Sequence, residues 1–307
     1  MHILISGLVN VETSVKVRRF PIDYYPIDYP FFGVESHVAG VAYNIAKALT
    51  VLGDKPSLLS YCACDEEGIR IARQLKADNI QAHLMMDLPQ TPVSVVLYDE
   101  SGRRQIYCDL KNIQDKELKP DDYGQMLENS DIVAACNISF NRSLIRKAKT
   151  LGKIIATDVH VLNNVYDEYN RDFLETADIL FLSDEGLPCP PETFLNWLKD
   201  SYHFSLCVVG LGACGAMMYE RSSGKKYHLP AAQTERVVNT VGAGDALFSA
   251  FLHYYAQGME PVKALEHAQI FAAKKIAFSG ASVGFPHATE VEETWSSSEH
   301  CIETLEK

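Results

Sequence analysis

Short apolar runs alternate with helical stretches through most of this 307-residue chain. The runs are Ile3–Val9, Ser57–Tyr61, Ile132–Cys136, Ile154–Thr157, Ile179–Leu182 and Leu206–Val209. Near-continuous apolar strands of this kind lie in a sheet covered on both faces. Between them fall the helical stretches Val41–Leu52, Glu66–Ala77 and Arg142–Leu151. Gly53 and Gly152 follow the first and last of these, where a glycine can end a helix. The alternation predicts a three-layer α/β/α fold with a mostly parallel central sheet. No flexible linker or internal repeat interrupts it, so residues 1–307 read as a single domain.

Two regions break the pattern. Residues 11–35 are rich in Pro, Tyr, Phe and β-branched residues. Residues 93–110 contain a hairpin: Val93–Tyr98, a turn at Asp99-Glu100-Ser101-Gly102, then Arg104–Cys108. Together they predict a small β-sheet projecting from the α/β core. Such a sheet is either a lid beside a cleft or an ordinary edge extension, and the pattern alone does not choose. The last stretch, Ala288–Lys307, is acidic and Ser-rich around Trp295 and reads as a loosely packed helix.

A formal net charge of −12 sets the protein against nucleic acid and anionic membrane as partners. A phosphorylated ligand would therefore need a local site. The N-terminal Met1–Gly7 reads as a buried strand rather than a signal peptide, and no apolar stretch approaches the roughly 20 residues that span a bilayer. The eight cysteines are scattered without a Cys-x-x-Cys pair, the pattern of reduced thiols in a cytoplasmic protein.

The strongest chemical signal is Asn239-Thr240-Val241-Gly242-Ala243-Gly244-Asp245-Ala246-Leu247-Phe248. A β-like run, Glu235–Val238, leads in. An apolar helix of about Ala246–Gln257 leads out, ended by Gly258. A glycine-rich turn at a helix start offers unpaired N–H groups and the positive end of the dipole to an anion. Glycines let the backbone approach phosphate oxygens closely. A carboxylate beside such a hole suits phosphoryl transfer to an alcohol: amides stabilise the phosphate charge and Asp245 accepts the hydroxyl proton.

This segment resembles the C-terminal signature of the ribokinase-like (PfkB) carbohydrate and nucleoside kinases, Asp-Thr-x-Gly-Ala-Gly-Asp-x-Phe. The resemblance implies that Asp245 is the catalytic base and that Gly242, Ala243 and Gly244 form the anion hole. Asn239 departs from the family's Asp, which helps hold a monovalent cation. Asn keeps a carbonyl oxygen but loses the charge, which leaves potassium activation open. Gly40-Val41-Ala42-Tyr43-Asn44-Ile45-Ala46 is similar to the family's Gly-Gly-x-x-x-Asn-x-Ala, with Ala39 in place of the first Gly. It implies that Gly40 and Asn44 bind substrate hydroxyls. Asn10 and Glu12 stand where the family has Asn-x-Asp, so Glu12 takes the hydroxyl-binding position with one more methylene. Asn137 lies near another sugar-contacting position. Asp65 and Gly68 fall in register with a further family block.

On the nucleotide side, Val208–Ala216 resembles a strand and turn that pack near ATP, with Gly212 and Gly215 matching and Gly210 in place of Thr. The same segment imitates a dinucleotide fingerprint. Residues 216–220 read as a strand, however, with a turn at Ser222-Ser223-Gly224, and no helix opens there. Gly280 resembles the glycine of a turn lining the adenine and cation region. The family's Asn-x-x-Glu, which organises Mg²⁺, is replaced by Ser183-Asp184-Glu185-Gly186. Either an acid such as Glu185 binds Mg²⁺, or both acids are solvated loop residues. The resemblance thus implies an ATP- and Mg²⁺-dependent kinase for a hydroxymethyl group of a sugar, with the small sheet able to mediate a homodimer. A nucleoside kinase and a catalytically weak, sugar-binding regulatory relative are the alternatives.

Overall fold

The computed structural model describes residues 1–234, 236–298 and 302–305. Its strands are β1 (Ile3–Ser6), β2 (Asn10–Lys16), β3 (Val34–Ala39), β4 (Ser57–Ala63), β5 (Gln81–Leu88), β6 (Val93–Tyr98), β7 (Arg104–Asp109), β8 (Ile132–Ala135), β9 (Ile154–Asp158), β10 (Ile179–Ser183), β11 (Leu206–Gly210), β12 (Ala216–Glu220), β13 (Lys225–Leu229) and β14 (Glu303–Leu305). The helices are α1 (Val41–Leu52), α2 (Glu66–Ala77), α3 (Pro120–Glu128), α4 (Asn141–Thr150), α5 (Arg171–Thr176), α6 (Pro191–Ser201), α7 (Ala243–Ala256), α8 (Pro261–Lys275) and α9 (Ala288–Ser297).

Ten strands form the central sheet in the order β14-β13-β12-β11-β10-β9-β8-β1-β4-β5. From β5 to β11 every pairing is parallel, and β12, β13 and β14 add antiparallel strands at one edge. Every residue of β1 and β8 is buried, which requires cover on both faces and explains their unbroken apolar runs. The expected α/β/α layering is therefore present. A second sheet of four strands, β3-β2-β6-β7, stands apart from the first. It is built from the two segments that broke the helix–strand alternation, except that β3 extends past the expected end at residue 35 to Ala39. Its β6 has the expected bounds and β7 runs one residue past the expected Cys108, to Asp109, while β2 pairs antiparallel with β3 and parallel with β6.

Four expectations need correction. The run Ile3–Val9 is not one strand: the central-sheet strand ends at Ser6 and the chain joins the small sheet at Asn10. Leu8 and Val9 stay apolar because they pack at the junction, where periodicity cannot distinguish a crossing from a continuation. Residues 236–238 are not a strand. The Val238 and Asn239 amides both donate to the Ile276 carbonyl at the end of α8 rather than to a neighbouring strand, and Glu235 lies outside the described residues. Helix α7 starts at Ala243, three residues before the expected Ala246, because Gly242 adopts a left-handed N-cap that admits the helix at once. In the C-terminal stretch the helix stops at Ser297, and residues 303–305 pair with β13; residues 299–301 and 306–307 lie outside the description.

Helix α7 is apolar almost all round, with Ala246, Phe248, Ala250, Phe251, Leu252 and Tyr254 buried. A helix of that composition belongs in an interior. It packs against α1 and α8. Phe181 of β10 meets Phe248 edge-on at 5.1 Å and Phe251 at 5.2 Å, pairs worth about 0.5–1.5 kcal/mol each beyond their area. The N-terminus of α7 is thereby held fast near the carboxyl ends of the strands, where open α/β sheets place their ligands.

Candidate active site

Asp245 sits in the first turn of α7 with 9% of its surface exposed. The Asn44 amide, Nδ2, donates to its Oδ2 at 2.7 Å. Two residues distant in sequence meet because α1 begins tightly against the end of β1. Gly40 caps α1 at φ 101°, and a Cβ there would lie 2.5 Å from the Leu8 carbonyl oxygen. Only glycine permits that approach.

The loop before α7 is tied at both ends. The Val241 amide donates to the Asn239 Oδ1 at 2.8 Å, and Gly242, at φ 77°, lies against the backbone of Ala281. In this conformation the Ala243 amide donates to the Thr240 carbonyl at 3.1 Å. The next amides of the first turn, at Gly244 and Asp245, have no intrahelical acceptor and face outward from the helix start. Beside Gly244 lies Asp158 Oδ2, 3.8 Å from where a Cβ would sit.

Charge around Asp245 is dense. Burial pushes its pKa up and Asp158 adds to the effect; His160, the Asn44 hydrogen bond and Lys275 oppose it. A carboxyl raised above its usual range is better matched to accepting a proton near neutral pH. Glu12, on β2, is also raised, first by burial and then by Asp245, against His37, Lys275 and Ser94. Asn10 is buried at the start of β2 and its Nδ2 donates to Ser94 Oγ at 3.0 Å.

Two acceptors are left over. Oδ1 of Asn10 and Oδ1 of Asn44 are buried with no hydrogen-bond donor among the described residues. Buried polar atoms are nearly always satisfied, so each is an open position for a hydroxyl or N–H from outside the chain.

The other expected site residues are more dispersed. Asn137 donates to Asn170 Oδ1 at 3.0 Å and weakly to the Val159 carbonyl, and Tyr169 holds its own carbonyl, so its amide serves the loops after β8 and β9. Gly210 ends β11. Gly212 lies on a short 3₁₀ turn. A Cβ on Gly215 would lie 2.0 Å from the Leu229 carbonyl oxygen, which makes close packing of β12 on the end of β13 a sufficient reason for that glycine. A strand, not a helix, follows it, as the rejection of a dinucleotide fingerprint required. Gly280, at φ 94°, precedes the Ala281 that abuts Gly242. Glu185 follows β10, its side chain 73% exposed, 3.9 Å from Arg104 Nη2. Asp65 is a helix cap: it accepts from Gly68 N, Thr91 N and Thr91 Oγ.

Sequence reasoning passed over four residues here. Asp158 ends β9, and the rule that ligands gather at strand carboxyl ends would have flagged it. His160 holds a left-handed backbone at φ 60°, a conformation uncommon for a non-glycine residue and concentrated at functional sites. Arg104, on β7 of the small sheet, donates from Nη1 to Thr240 Oγ1 at 2.9 Å. Lys275 is wholly buried and donates to the Val241 carbonyl. Val96 of β6 packs with Val241 and Ala281. The small sheet therefore touches the glycine-rich loop through both Arg104 and Val96.

Residues 3–288 match the profile of the pfkB family carbohydrate kinases. The ribokinase of Dictyostelium discoideum is 22% identical, over 94% of this chain and 99% of its own. The nucleoside kinase of Methanocaldococcus jannaschii is 24% identical, over 98% and 95%. The structure of a microbiome-derived acarbose kinase superposes with a TM-score of 0.87 at 22% identity, covering 96% of this chain and 98% of that one. Among the described residues no helix is long and apolar enough to cross a membrane.

Proposed function

Because the chain belongs to the pfkB family of carbohydrate kinases, we propose that it transfers the γ-phosphate of ATP to a hydroxymethyl group of a sugar, with Asp245 as the general base. One observation carries this reading: a buried carboxylate, its pKa raised, stands at the amide-rich start of α7 and is gripped by Asn44. The orphaned oxygens of Asn10 and Asn44 fit an acceptor rich in hydroxyl donors.

ATP and Mg²⁺, which the family implies, would supply the phosphoryl group and neutralise its charge. The chain fits both. Gly242 leaves no room for a side chain against Ala281, and the free amides of Gly244 and Asp245 suit a phosphate. Mg²⁺ held beside phosphates needs one or two carboxylates, which Asp158 and the exposed Glu185 can provide. Asp245 takes the hydroxyl proton through the carboxylate oxygen not occupied by Asn44. The helix-start amides receive the charge that develops on the transferred group. The small sheet acts as a lid, since Arg104 and Val96 lie on the loop that binds the phosphate. A closed lid excludes water, the competing acceptor.

The test is ATP-dependent ADP release against a panel of sugars and nucleosides, for wild type and Asp245→Asn. The variant is expected to lose about 10²–10⁴-fold in turnover and to keep near-normal affinity for the accepted substrate. Substrate binding lost in proportion to turnover would remove Asp245 from the base role. Binding without turnover across the whole panel would favour a regulatory sugar-binding protein.

A further inference from the structure

Lys275 has 0% exposure, and its ammonium donates to the carbonyl of Val241, inside the glycine-rich loop. An ammonium taken out of water is retained only where nearby groups compensate its lost hydration. Here the compensation converges on the active site. Burial brings the Lys275 pKa down to about 8 and Arg104 adds to that, while Asp245 and Glu12 push it back up. A pKa of about 8 leaves the amine mostly protonated at neutral pH. Lys275 also occupies the last turn of α8, where the helix dipole favours a cation.

A free monovalent cation, the activator that the family's signature implies, does not fit this loop. Its natural ligands would be the Val241 carbonyl and the side-chain oxygen of residue 239. The first accepts from Lys275, and the second, on the uncharged Asn239, accepts from the Val241 amide. We infer that the Lys275 ammonium is a tethered monovalent cation that holds residues 239–242 in their anion-binding shape, so that the protein needs no potassium. Lys275 is a positioning residue: it acts on phosphate binding through the Val241 carbonyl.

The inference rests on the kinase reading for its purpose, but its test does not require activity. Melting temperatures are measured in potassium chloride and in tetramethylammonium chloride at equal ionic strength. Wild type is expected to melt at the same temperature in both. Lys275→Ala opens a cation-sized space beside the Val241 carbonyl; it is expected to melt about 5 °C lower in tetramethylammonium and to recover much of that loss in potassium. Lys275→Met fills the space without a charge and is expected to show no potassium effect. Titration with thallium(I) followed by ²⁰⁵Tl NMR should detect binding to the alanine variant and none to wild type. Potassium stabilisation or thallium binding in wild type would overturn the inference, as would an alanine variant indifferent to both ions. If the alanine variant does not fold, the wild-type measurements still decide. A kinase assay that fails while these results hold would count against the function proposed above and not against the tethered cation.

Discussion

Gly242→Ala tests whether the glycine-rich loop is shaped by close contact or merely by turn preference. Gly242 has φ 77°, and a Cβ there would lie 2.6 Å from the Ala281 carbonyl oxygen and 2.9 Å from its Cα. Both are backbone atoms of a turn packed against Val96 and Val241, so the neighbour cannot simply swing away. The left-handed backbone costs alanine about 1–2 kcal/mol. Relieving the overlap costs about 1–3 kcal/mol more. Gly224, in the turn between β12 and β13, separates the two effects: its φ is 67°, and nothing lies within 4 Å of its would-be Cβ. Gly224→Ala should carry the first cost alone. For a chain of 307 residues, one kcal/mol is worth about 1.6 °C in melting temperature. Scanning calorimetry should then show a loss of about 2–3 °C for Gly224→Ala and about 3–8 °C for Gly242→Ala. Turnover should separate them further, because a shift of about 1 Å in a positioning element can cost on the order of 10²-fold, whereas the β12–β13 turn lies outside the site. Equal melting temperatures together with equal ATP-dependent turnover would refute the close-contact argument.

Asn44→Ala removes the hydrogen bond that holds the Asp245 pKa down against burial. With the bond gone that pKa rises further, the carboxylate form is lost at higher pH, and the acidic limb of the pH–rate profile should move upward; an unmoved limb would show that Asn44 does not tune the base. Asp65→Ala should lower the melting temperature by about 3–5 °C, from the loss of a helix cap and two bonds to Thr91, with KM for both substrates unchanged; a raised KM would make Asp65 a ligand-binding residue. Burial raises the Asp65 pKa, but its bonds to Thr91 and Gly68 outweigh this and leave it below the ordinary 3.8. The Asp65 contribution should accordingly be complete above that pH and fade as the pH falls below it.

Much of this molecule is legible in the order of its residues, because local rules and tertiary structure agree there. Helices α1 and α2 have the bounds their patterns predict, since an amphipathic face and a capping residue act within a few residues of themselves. Apart from the edge strand β5, which is largely exposed and has no apolar run to announce it, the strands of the parallel sheet are buried on both faces, so burial is written into each run. The glycine-rich turn carries part of its chemistry locally as well: unpaired amides at a helix start need no distant partner to be anticipated, whereas the left-handed conformation of Gly242 and its packing on Ala281 were not legible there. Other features follow from long-range contacts that no window of sequence contains. The break after Ser6 is set by the chain's passage from one sheet to the other. Arg104, on an exposed strand, reads as surface charge until the small sheet brings it to Thr240, 136 residues away in sequence. Lys275 follows Lys274 at the end of a helix, where paired lysines ordinarily face water; only the packing of α8 beneath the loop buries one of them against Val241. The sequence alone determined the strand–helix alternation and the carboxylate at a glycine-rich helix start, because short-range periodicity and backbone geometry dictate both. The tertiary structure decided which charges surround that carboxylate, because a charge's neighbours in a dry interior are chosen by packing across the fold.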